Sequence, residues 1–419
     1  MVSTTARPSR FLPLGAALAV GLAIAVAATG CAGAAPAASP PGISARSTGV
    51  VASRLSAAVD AGIPGIAARI TTESGSVSRV AQASWSREDG RIRDDSQFRM
   101  GSNIKPMIAA ITLQLVDDGT LQLTDSIDRW LPGAVPDGAH ITIRQLLNHT
   151  SGLGDYIGDP RILAKEIGAD PQPVSPATLL EIGVETPRLG QPGAAYSYSN
   201  TNYIALGLIL QRATGASVAD LLEHRIIRPL SLHDTYLAAD GHSRDGKQLA
   251  DGYEPDAGDL APLLPAGAPA GTAFSGPARG THVLVTHLDP SWAFSAAGLV
   301  STQADEGRFL RALLGGRVVS PKSLDLMKAT VPEVPGDAKT DRYGLGLEQF
   351  NSPCGPVWGH TGGVPGYATE NYASADGTRS VSVASTTLFG LHDPSLGAAN
   401  QRVVDAAVCT MLAKTPPTR

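Results

Sequence analysis

The chain has 419 residues, which is enough for two packed units and a sizeable core. Only 5% of the residues are aromatic, whereas alanine, glycine and proline are frequent, so we expect a core built mainly from leucine, valine, isoleucine and alanine. The formal net charge is -5 and no block of like charges stands out, which argues against a nucleic-acid partner.

The first thirty residues have the pattern of an export signal. Arg7 and Arg10 precede an apolar run over residues 11–28, and small residues then lead to Cys31. A cysteine placed in this way resembles a bacterial lipoprotein signal, in which the thiol carries lipid. The run is also close to the minimum length of a membrane-spanning helix, so a plain signal and an uncleaved anchor stay open. We expect an exported protein, either secreted or anchored by lipid on Cys31 at the outer face of the cell membrane.

Residues 31–47 consist mainly of alanine, proline, serine and glycine, and this composition predicts a flexible tether. The folded domain is expected over residues 48–413. It begins with a helix at 50–61 and two strands at 65–72 and 77–85, which form a hairpin.

The middle of the chain has helical periodicity, and its end returns to strands. Helices are predicted at 102–118, 143–148, 202–213, 217–225, 307–314 and 320–329. Strands are predicted at 343–350, 357–362, 367–373 and 380–387, followed by a helix at 395–412. Residues 240–290 are rich in glycine, proline and alanine and are predicted to form a long loop or lid.

This order of elements indicates an α+β fold. The simplest interpretation is an α+β protein with no more specific architecture. The more specific interpretation is one antiparallel sheet, flanked by the N- and C-terminal helices and built from two halves at about 48–95 and 291–413. An all-helical subdomain at about 96–290 is then inserted between the halves.

Ser102 and Lys105 form the first motif of chemical interest. Lys105 follows Ser102 by three residues at the start of a predicted helix, so the two side chains share one face. The helix start favours negative charge, and the N–H of Ser102 is suited to stabilise an oxyanion there. A lysine can accept the serine proton only when it is neutral, so we expect burial to lower its pKa. Pro106 predicts an irregular first turn.

Two further motifs follow in order. Tyr198-Ser199-Asn200 lies in a loop before a helix and is suited to present polar groups, although such a sequence is also a common helix cap. His360-Thr361-Gly362-Gly363 is predicted to form a strand whose small residues let a substrate backbone approach. The N–H of Gly363 would be the second oxyanion donor.

The three motifs in this order resemble the penicillin-recognising serine hydrolases, which include class C β-lactamases, D-Ala-D-Ala carboxypeptidases and related esterases. Phrases at 146–153, 343–347 and 366–367 are also similar to this family, so the resemblance covers about residues 50–412. It implies a β-lactamase/transpeptidase-like fold. Within 146–153, residues 149–152 repeat a His-Thr-Ser-Gly pattern, which we interpret as a structural turn rather than a second site.

The resemblance also implies roles for individual residues. Ser102 would be the nucleophile, with Lys105 and Tyr198 sharing the proton transfers. Asn200 would hold the acyl amide of the substrate, and His360 takes the place of a lysine found in many relatives. The substrate would bind along His360, Thr361, Gly362 and Gly363.

Cys354 and Cys409 remain after the leader. In an exported chain they are expected to pair, although two buried free thiols are the alternative. Secreted carboxypeptidases of the family carry a cysteine pair at comparable places, so the resemblance implies a disulfide.

Two departures from the family concern substrate choice. Glu348 stands where the secreted carboxypeptidases have an arginine that binds the substrate carboxylate, and Gly363 replaces a residue with a hydroxyl group. Arg342 is the remaining cation of this strand region that could reach a carboxylate. We therefore expect small neutral esters to be better substrates than D-Ala-D-Ala peptides or penicillins.

The leading hypothesis is a cell-envelope serine hydrolase that acts on an ester or amide through an acyl-enzyme on Ser102. The alternative is a non-catalytic lipoprotein that binds peptidoglycan or acyl ligands in the same cleft. A Ser-His-Asp hydrolase is a third possibility, but the chain has no Gly-x-Ser-x-Gly pentapeptide. We expect a small acyl substrate, a membrane partner through the lipid anchor, no nucleic acid, no cofactor and no metal site, since the histidines lack metal-ligand spacing.

Overall fold

The computed structural model describes residues 43–238, 249–264, 269–334, 336–337 and 340–416. The predicted signal 1–30 and residues 31–42 of the predicted tether, including Cys31, lie outside the described residues. Within the described part, no single helix is long and apolar enough to cross a membrane, although the bent pair Thr201–Thr214 and Val218–Leu230 passes that test on length and composition.

The strands form one large sheet and two small ones. In the described ranges they are β1 (Gly65–Thr72), β2 (Gly75–Gln82), β3 (Gln97–Gly101), β4 (Tyr236–Leu237), β5 (Tyr253–Pro255), β6 (Ala278–Arg279), β7 (His282–Leu284), β8 (Leu299–Thr302), β9 (Val331–Pro332), β10 (Arg342–Tyr343), β11 (Glu348–Ser352), β12 (Gly355–Val364), β13 (Tyr367–Ala373) and β14 (Ser380–Ser385).

The large sheet joins the two ends of the chain. Its eight strands lie in the order β2-β1-β14-β13-β12-β11-β10-β9, and every neighbouring pair is antiparallel. The N-terminal hairpin enters through β1, in which Ile66 pairs with Ser385 of β14. Short strands make the other two sheets, β3-β8-β4 and β5-β7-β6.

Helices pack against the large sheet and against one another. In the same ranges they are α1 (Ala45–Ala61), α2 (Lys105–Asp117), α3 (Ile127–Trp130), α4 (Ile143–Leu147), α5 (Pro160–Glu166), α6 (Pro176–Glu185), α7 (Thr201–Thr214), α8 (Val218–Leu222), α9 (Arg228–Leu230), α10 (Ala257–Leu260), α11 (Phe294–Ala297), α12 (Gln303–Leu314), α13 (Pro321–Lys328) and α14 (Pro394–Met411). A π-helical turn, Glu223–Ile227, joins α8 to α9.

Two hydrophobic cores hold these layers together. Val51 and Leu55 of α1 share one core with Val403 and Val404 of α14 and with side chains of the sheet strands. The larger core is centred on α2, α7 and their neighbouring helices. The predicted α+β fold, with an antiparallel sheet flanked by the terminal helices, is confirmed.

Several predicted boundaries were wrong. Helix α1 begins at Ala45, inside the predicted tether, because the side chain of Ser44 caps it by accepting from the N–H of Ser47. The predicted strand 343–350 is two strands, β10 and β11, separated by a turn in which Gly346 has a φ of 67°. The domain limits 48 and 413 stay predictions.

The region between the sheet halves also differs from expectation. Helices α5 and α6 were not predicted from the sequence. The predicted insertion 96–290 is helical in the main, but its described residues also hold β3 to β7, and the predicted loop 240–290 contains the small sheet of β5, β6 and β7. In a region rich in glycine and proline, strands of two or three residues are too short to show an alternating pattern, so the sequence did not predict them.

The predicted disulfide is confirmed. Cys354 and Cys409 are bonded, with their Cα atoms 5.3 Å apart. The bond ties the turn between β11 and β12 to α14.

Candidate active site

Ser102 lies where β3 meets α2. Residues Ser102–Ile104 form a single 3-10 turn before α2 begins at Lys105, as the proline at 106 predicted. Gly101 makes the sharp entry to this turn with a φ of 54°. A Cβ at Gly101 would lie 2.5 Å from the backbone nitrogen of Gly363, so only glycine lets β3 and β12 come this close. The turn thus sets Ser102 beside the predicted substrate strand.

The amine of Lys105 is fully buried and has three oxygen neighbours. Its Nζ lies 2.7 Å from Ser102 Oγ, 2.9 Å from Asn200 Oδ1 and 2.7 Å from the carbonyl oxygen of Ala296. Burial lowers the pKa of Lys105 to about 7, against a smaller opposing effect of Asp155. A large part of the lysine is therefore neutral at neutral pH.

A neutral amine fits these three neighbours. The Asn200 amide oxygen and the Ala296 carbonyl oxygen can only accept, so they take the two N–H groups of a neutral amine. The remaining lone pair then faces Ser102 Oγ, whose hydroxyl can donate to it. The arrangement therefore orients the lone pair of the Lys105 amine toward the Ser102 hydroxyl.

Tyr198 contacts Ser102 from the other side. The Tyr198 hydroxyl donates to Ser102 Oγ over 2.9 Å, and burial raises the pKa of Tyr198 well above its usual range. The Nζ atom of Lys105 also lies 4.9 Å from the centre of the Tyr198 ring. The phenol is thus a neutral proton donor, and it can pass a proton between Ser102 and a leaving group.

His149 supports Tyr198 and was missed as a site residue. Its ring stacks on that of Tyr198, with the ring centroids 4.2 Å apart. Its Nδ1 lies 3.2 Å from the N–H of Ser199 and 3.0 Å from Nδ2 of Asn202, and burial lowers its pKa well below the usual range. The backbone of His149 forms the predicted structural turn with a φ of 55°. The turn therefore also positions the tyrosine.

Asn200 connects Lys105 to a carboxyl group. Its Oδ1 accepts from Lys105, while its Nδ2 donates to Asp155 Oδ2 over 3.0 Å. Both polar atoms of the amide already have a partner, so the second N–H of Nδ2 is the only donor that Asn200 can still offer to a substrate. Sequence reasoning missed Asp155 because nothing in the pattern distinguishes it among 38 acidic residues.

The edge of β12 next to Ser102 is open. Strand β11 begins at Glu348, which pairs with Gly359, so the pairing with β11 stops before Thr361. The N–H of Thr361 points to this edge, where it donates to Glu348 Oε2 over 3.3 Å. Gly363, two residues on, directs its N–H to the same side. This is the geometry needed for a second oxyanion donor beside Ser102.

The structure separates the four predicted residues of β12. Gly363 lines the cavity with Ser102, whereas His360, Thr361 and Gly362 are not among its lining residues. His360 is 2% exposed, and its Nε2 accepts from the Tyr343 hydroxyl over 2.7 Å. Burial lowers the pKa of His360 to about 3. His360 is therefore a buried, neutral histidine held by Tyr343, and its predicted role in substrate binding stays a prediction.

The two residues expected to attract or repel a substrate carboxylate differ from the prediction. Arg342 donates to the side chain and carbonyl of Thr330, so it does not reach toward the cavity. Glu348 is buried, and burial together with Glu333 and Asp341 raises its pKa to about 8. Glu348 is thus largely uncharged at neutral pH, and its repulsion of carboxylates should be strongest in alkaline solution.

A cavity of about 390 Å³ opens beside Ser102. Besides Asn200 and Gly363 it is lined mainly by apolar side chains, and Glu166 is also among its lining residues. Among the described residues, no group of three histidine, cysteine, aspartate or glutamate side chains could hold a metal ion.

Comparison with known proteins agrees with this geometry. Residues 51–406 match the family described as Beta-lactamase. The chain belongs to this family. The beta-lactamase family relatives described below are serine hydrolases, so the predicted resemblance and enzyme class are confirmed at the level of the family.

Three relatives show how far the similarity extends. Penicillin-binding protein 4* of Bacillus subtilis is 31% identical over 288 residues, which cover 66% of this chain and 58% of that protein. Esterase EstB of Burkholderia gladioli is 30% identical over 302 residues, covering 67% of this chain and 70% of the esterase. A D-stereospecific amidohydrolase from Streptomyces sp. is 31% identical, with a TM-score of 0.69 over 81% of this chain and 94% of its own.

Proposed function

We propose that the protein is a cell-envelope serine hydrolase that cleaves an ester or amide through an acyl-enzyme on Ser102. The observation that carries this proposal is the position of Ser102 Oγ, 2.7 Å from the Lys105 amine and 2.9 Å from the Tyr198 hydroxyl. Both partners are oriented by further contacts, and the serine lines an accessible cavity.

The proposed reaction has two halves. Ser102 Oγ attacks the substrate carbonyl carbon while its proton passes to the neutral Lys105 amine, and the oxyanion accepts from the N–H groups of Ser102 and Gly363. The proton then reaches the leaving alcohol or amine through Tyr198, and the bond to the leaving group breaks. Water attacks the ester on Ser102 in the second half, with the proton path reversed.

The names of the relatives support an ester or amide substrate. One is an esterase, another an amidohydrolase and the third a penicillin-binding protein. Because the family covers such different acyl substrates, the cavity rather than the catalytic group must select among them.

A substrate panel tests the proposal. Purified protein should hydrolyse a p-nitrophenyl ester, and Ser102→Ala should abolish turnover, whereas Ser76→Ala on the exposed face of β2 should retain it. A wild-type protein that binds acyl ligands or peptidoglycan fragments without turning over any ester, amide or β-lactam would favour the binding lipoprotein instead.

We also propose export, with lipid attachment at Cys31. The proposal rests on the composition of residues 1–31, and the disulfide is consistent with folding outside the cytosol. Growth with a labelled fatty acid should mark the full chain, and Cys31→Ser should remove the label. Equal labelling of Cys31→Ser would leave a plain signal or an anchor.

A further inference from the structure

His149 holds the proton donor Tyr198 through three separate contacts. Its carbonyl oxygen accepts from the N–H of Ser197 over 2.8 Å, and its Nδ1 accepts from the N–H of Ser199 over 3.2 Å. Its ring stacks on the Tyr198 ring, with the centroids 4.2 Å apart and the planes at 27°. One histidine therefore holds the residue before Tyr198, the residue after it and the tyrosine ring itself.

The two donors at Nδ1 fix the protonation of the His149 ring. A backbone N–H can only donate, so Nδ1 faces Ser199 without a proton, and the proton of the neutral ring lies on Nε2. Asn202 Nδ2 donates to the same nitrogen over 3.0 Å, while Asn202 Oδ1 accepts from Ser151 Oγ over 2.5 Å. Burial lowers the pKa of His149 well below its usual range, so the ring stays neutral at neutral pH.

Two further aromatic rings surround the imidazole. The ring centroids of Tyr203 and Tyr343 lie 5.3 and 4.8 Å from that of His149, and the histidine is fully buried. Close packing of this kind leaves the imidazole little freedom to turn, so the Tyr198 ring stacks on a fixed surface. The Tyr198 hydroxyl is held in this way at 2.9 Å from Ser102 Oγ.

We propose that His149 is a positioning residue for the leaving-group step, in which Tyr198 gives its proton to the departing atom. In this step the bond from the acyl carbon to the leaving group breaks, the Tyr198 hydroxyl proton goes to the leaving oxygen or nitrogen, and the Lys105 ammonium restores the proton of the tyrosine. The inference rests on the proposed function. It makes His149 important for leaving groups that need a proton and unimportant for those that depart as stable anions.

A series of butyrate esters that differ only in the alcohol isolates this step. Every member forms the same butyryl ester on Ser102, and kcat/KM reports only the steps up to that ester. p-Nitrophenol leaves as a stable anion, whereas ethanol must leave with a proton, and phenol is intermediate. Proton donation by Tyr198 therefore matters most for ethyl butyrate and least for the p-nitrophenyl ester.

His149→Asn is the informative variant. Asparagine tolerates the φ of 55° at this position and keeps an oxygen acceptor near the place of Nδ1, but it lacks the ring that stacks on Tyr198. Loss of an aromatic stack should lower kcat/KM for ethyl butyrate by about tenfold and that for the p-nitrophenyl ester by less than about twofold. His224→Asn, which changes an exposed histidine, is the control and should change neither value.

A double variant tests whether His149 acts through Tyr198. Tyr198→Phe keeps the ring and removes the proton donor, so it should slow ethyl butyrate more than the p-nitrophenyl ester. Adding His149→Asn to Tyr198→Phe should then cause no further loss on ethyl butyrate. Should His149→Asn not fold, Asn202→Ser, which removes one donor to Nδ1, makes the same distinction between the esters in smaller degree.

The outcomes separate this proposal from the proposed function. No hydrolysis of any butyrate by wild type would contradict the serine hydrolase itself. Wild type that cleaves only the p-nitrophenyl ester would contradict proton donation by Tyr198 and, with it, the role of His149. An equal loss for every alcohol in folded His149→Asn protein, or a full further loss in the double variant, would overturn the role of His149 alone.

Discussion

Lys105 is buried without a carboxylate in contact, and the proposed mechanism depends on this residue in its neutral form. Asn200 stands between it and Asp155, so the charged form of the lysine receives little compensation. Desolvation therefore outweighs the attraction of Asp155, and the pKa of Lys105 falls to about 7. The same residue would be a poor base if a carboxylate touched it.

The first prediction concerns the pH dependence of hydrolysis. The neutral amine is the active form, so kcat/KM should rise with pH through about 7 and then level off. Lys105→Arg should lose roughly two to four orders of magnitude in kcat/KM because arginine stays charged, while the exposed Lys322→Arg should retain activity. Active Lys105→Arg protein would mean that another group is the base.

Asn200→Asp extends this prediction. An aspartate at this position places a carboxylate against Lys105, which should raise the lysine pKa and move the rise in kcat/KM to higher pH. A pH profile unchanged from wild type would show that the rise does not report Lys105.

The second prediction concerns Glu348 and carboxylate-bearing substrates. Because its pKa is raised to about 8, Glu348 becomes charged as the pH rises through that value. The ratio of kcat/KM for a neutral ester to that for a D-Ala-D-Ala peptide should then increase between pH 6 and 9. Glu348→Gln should make the ratio independent of pH, and Glu348→Arg should lower it throughout. A ratio that is flat in wild type would contradict the assignment.

At the scale of elements, one carboxyl group joins three segments around the cavity. Glu254 of β5 accepts from the N–H groups of Gly366, Leu388 and Phe389 at 2.6, 2.9 and 3.0 Å, and from the Thr387 hydroxyl at 3.0 Å. Leu388 and Phe389 form part of the cavity wall. The short strand β5 thus fixes the wall that faces Ser102.

The third prediction follows from these contacts. Glu254→Gln replaces one acceptor oxygen by a donor, so it should lower the free energy of unfolding by about 2 kcal/mol and raise KM for an apolar ester. Thermal unfolding and steady-state kinetics measure the two effects. Glu223→Gln, which changes a partly exposed residue paired with Arg228, is the control and should change neither. A destabilised variant with unchanged KM would limit Glu254 to a structural role.

The elements also show what could be predicted from the sequence. The Ser102 and Lys105 pair was found because three residues in one turn fix their geometry locally. Tyr198 was predicted as a site residue only through the family resemblance, because its contact with Ser102 joins residues 96 positions apart. Asp155 and the Ala296 carbonyl could not be found, because long-range contacts, which no local pattern contains, place them beside Asn200 and Lys105.

At the scale of the whole molecule, the large sheet brings together strands from the N-terminal and C-terminal parts of the chain. Strands from both ends pair through β1 and β14, and between them α2 and the loop before α7 bring Lys105, Tyr198 and Asn200 to the edge of β12. Most of the antiparallel sheet was predictable because β1, β2, β12, β13 and β14 are long strands, whereas β9 and β10 have only two residues each. The open edge next to Ser102 was not, because it depends on where β11 begins.

The fourth prediction concerns the disulfide. Cys354 and Cys409 are 55 positions apart, so on the chain-entropy model their bond stabilises the fold by about 4 kcal/mol. Cys354→Ser with Cys409→Ser should lower the denaturant midpoint accordingly while leaving the esterase kinetics of the folded protein intact. Reduction of wild type should reproduce the shift, and an unchanged midpoint in both experiments would contradict a stabilising role.

The most direct test of the central claim is the mass of the protein during turnover. Rapid quenching with a slowly hydrolysed ester should reveal wild-type protein heavier by one acyl group, and peptide mapping should place that group on Ser102. Ser102→Ala should show no such species. An acyl group mapped to another residue, or steady turnover in Ser102→Ala, would contradict the account.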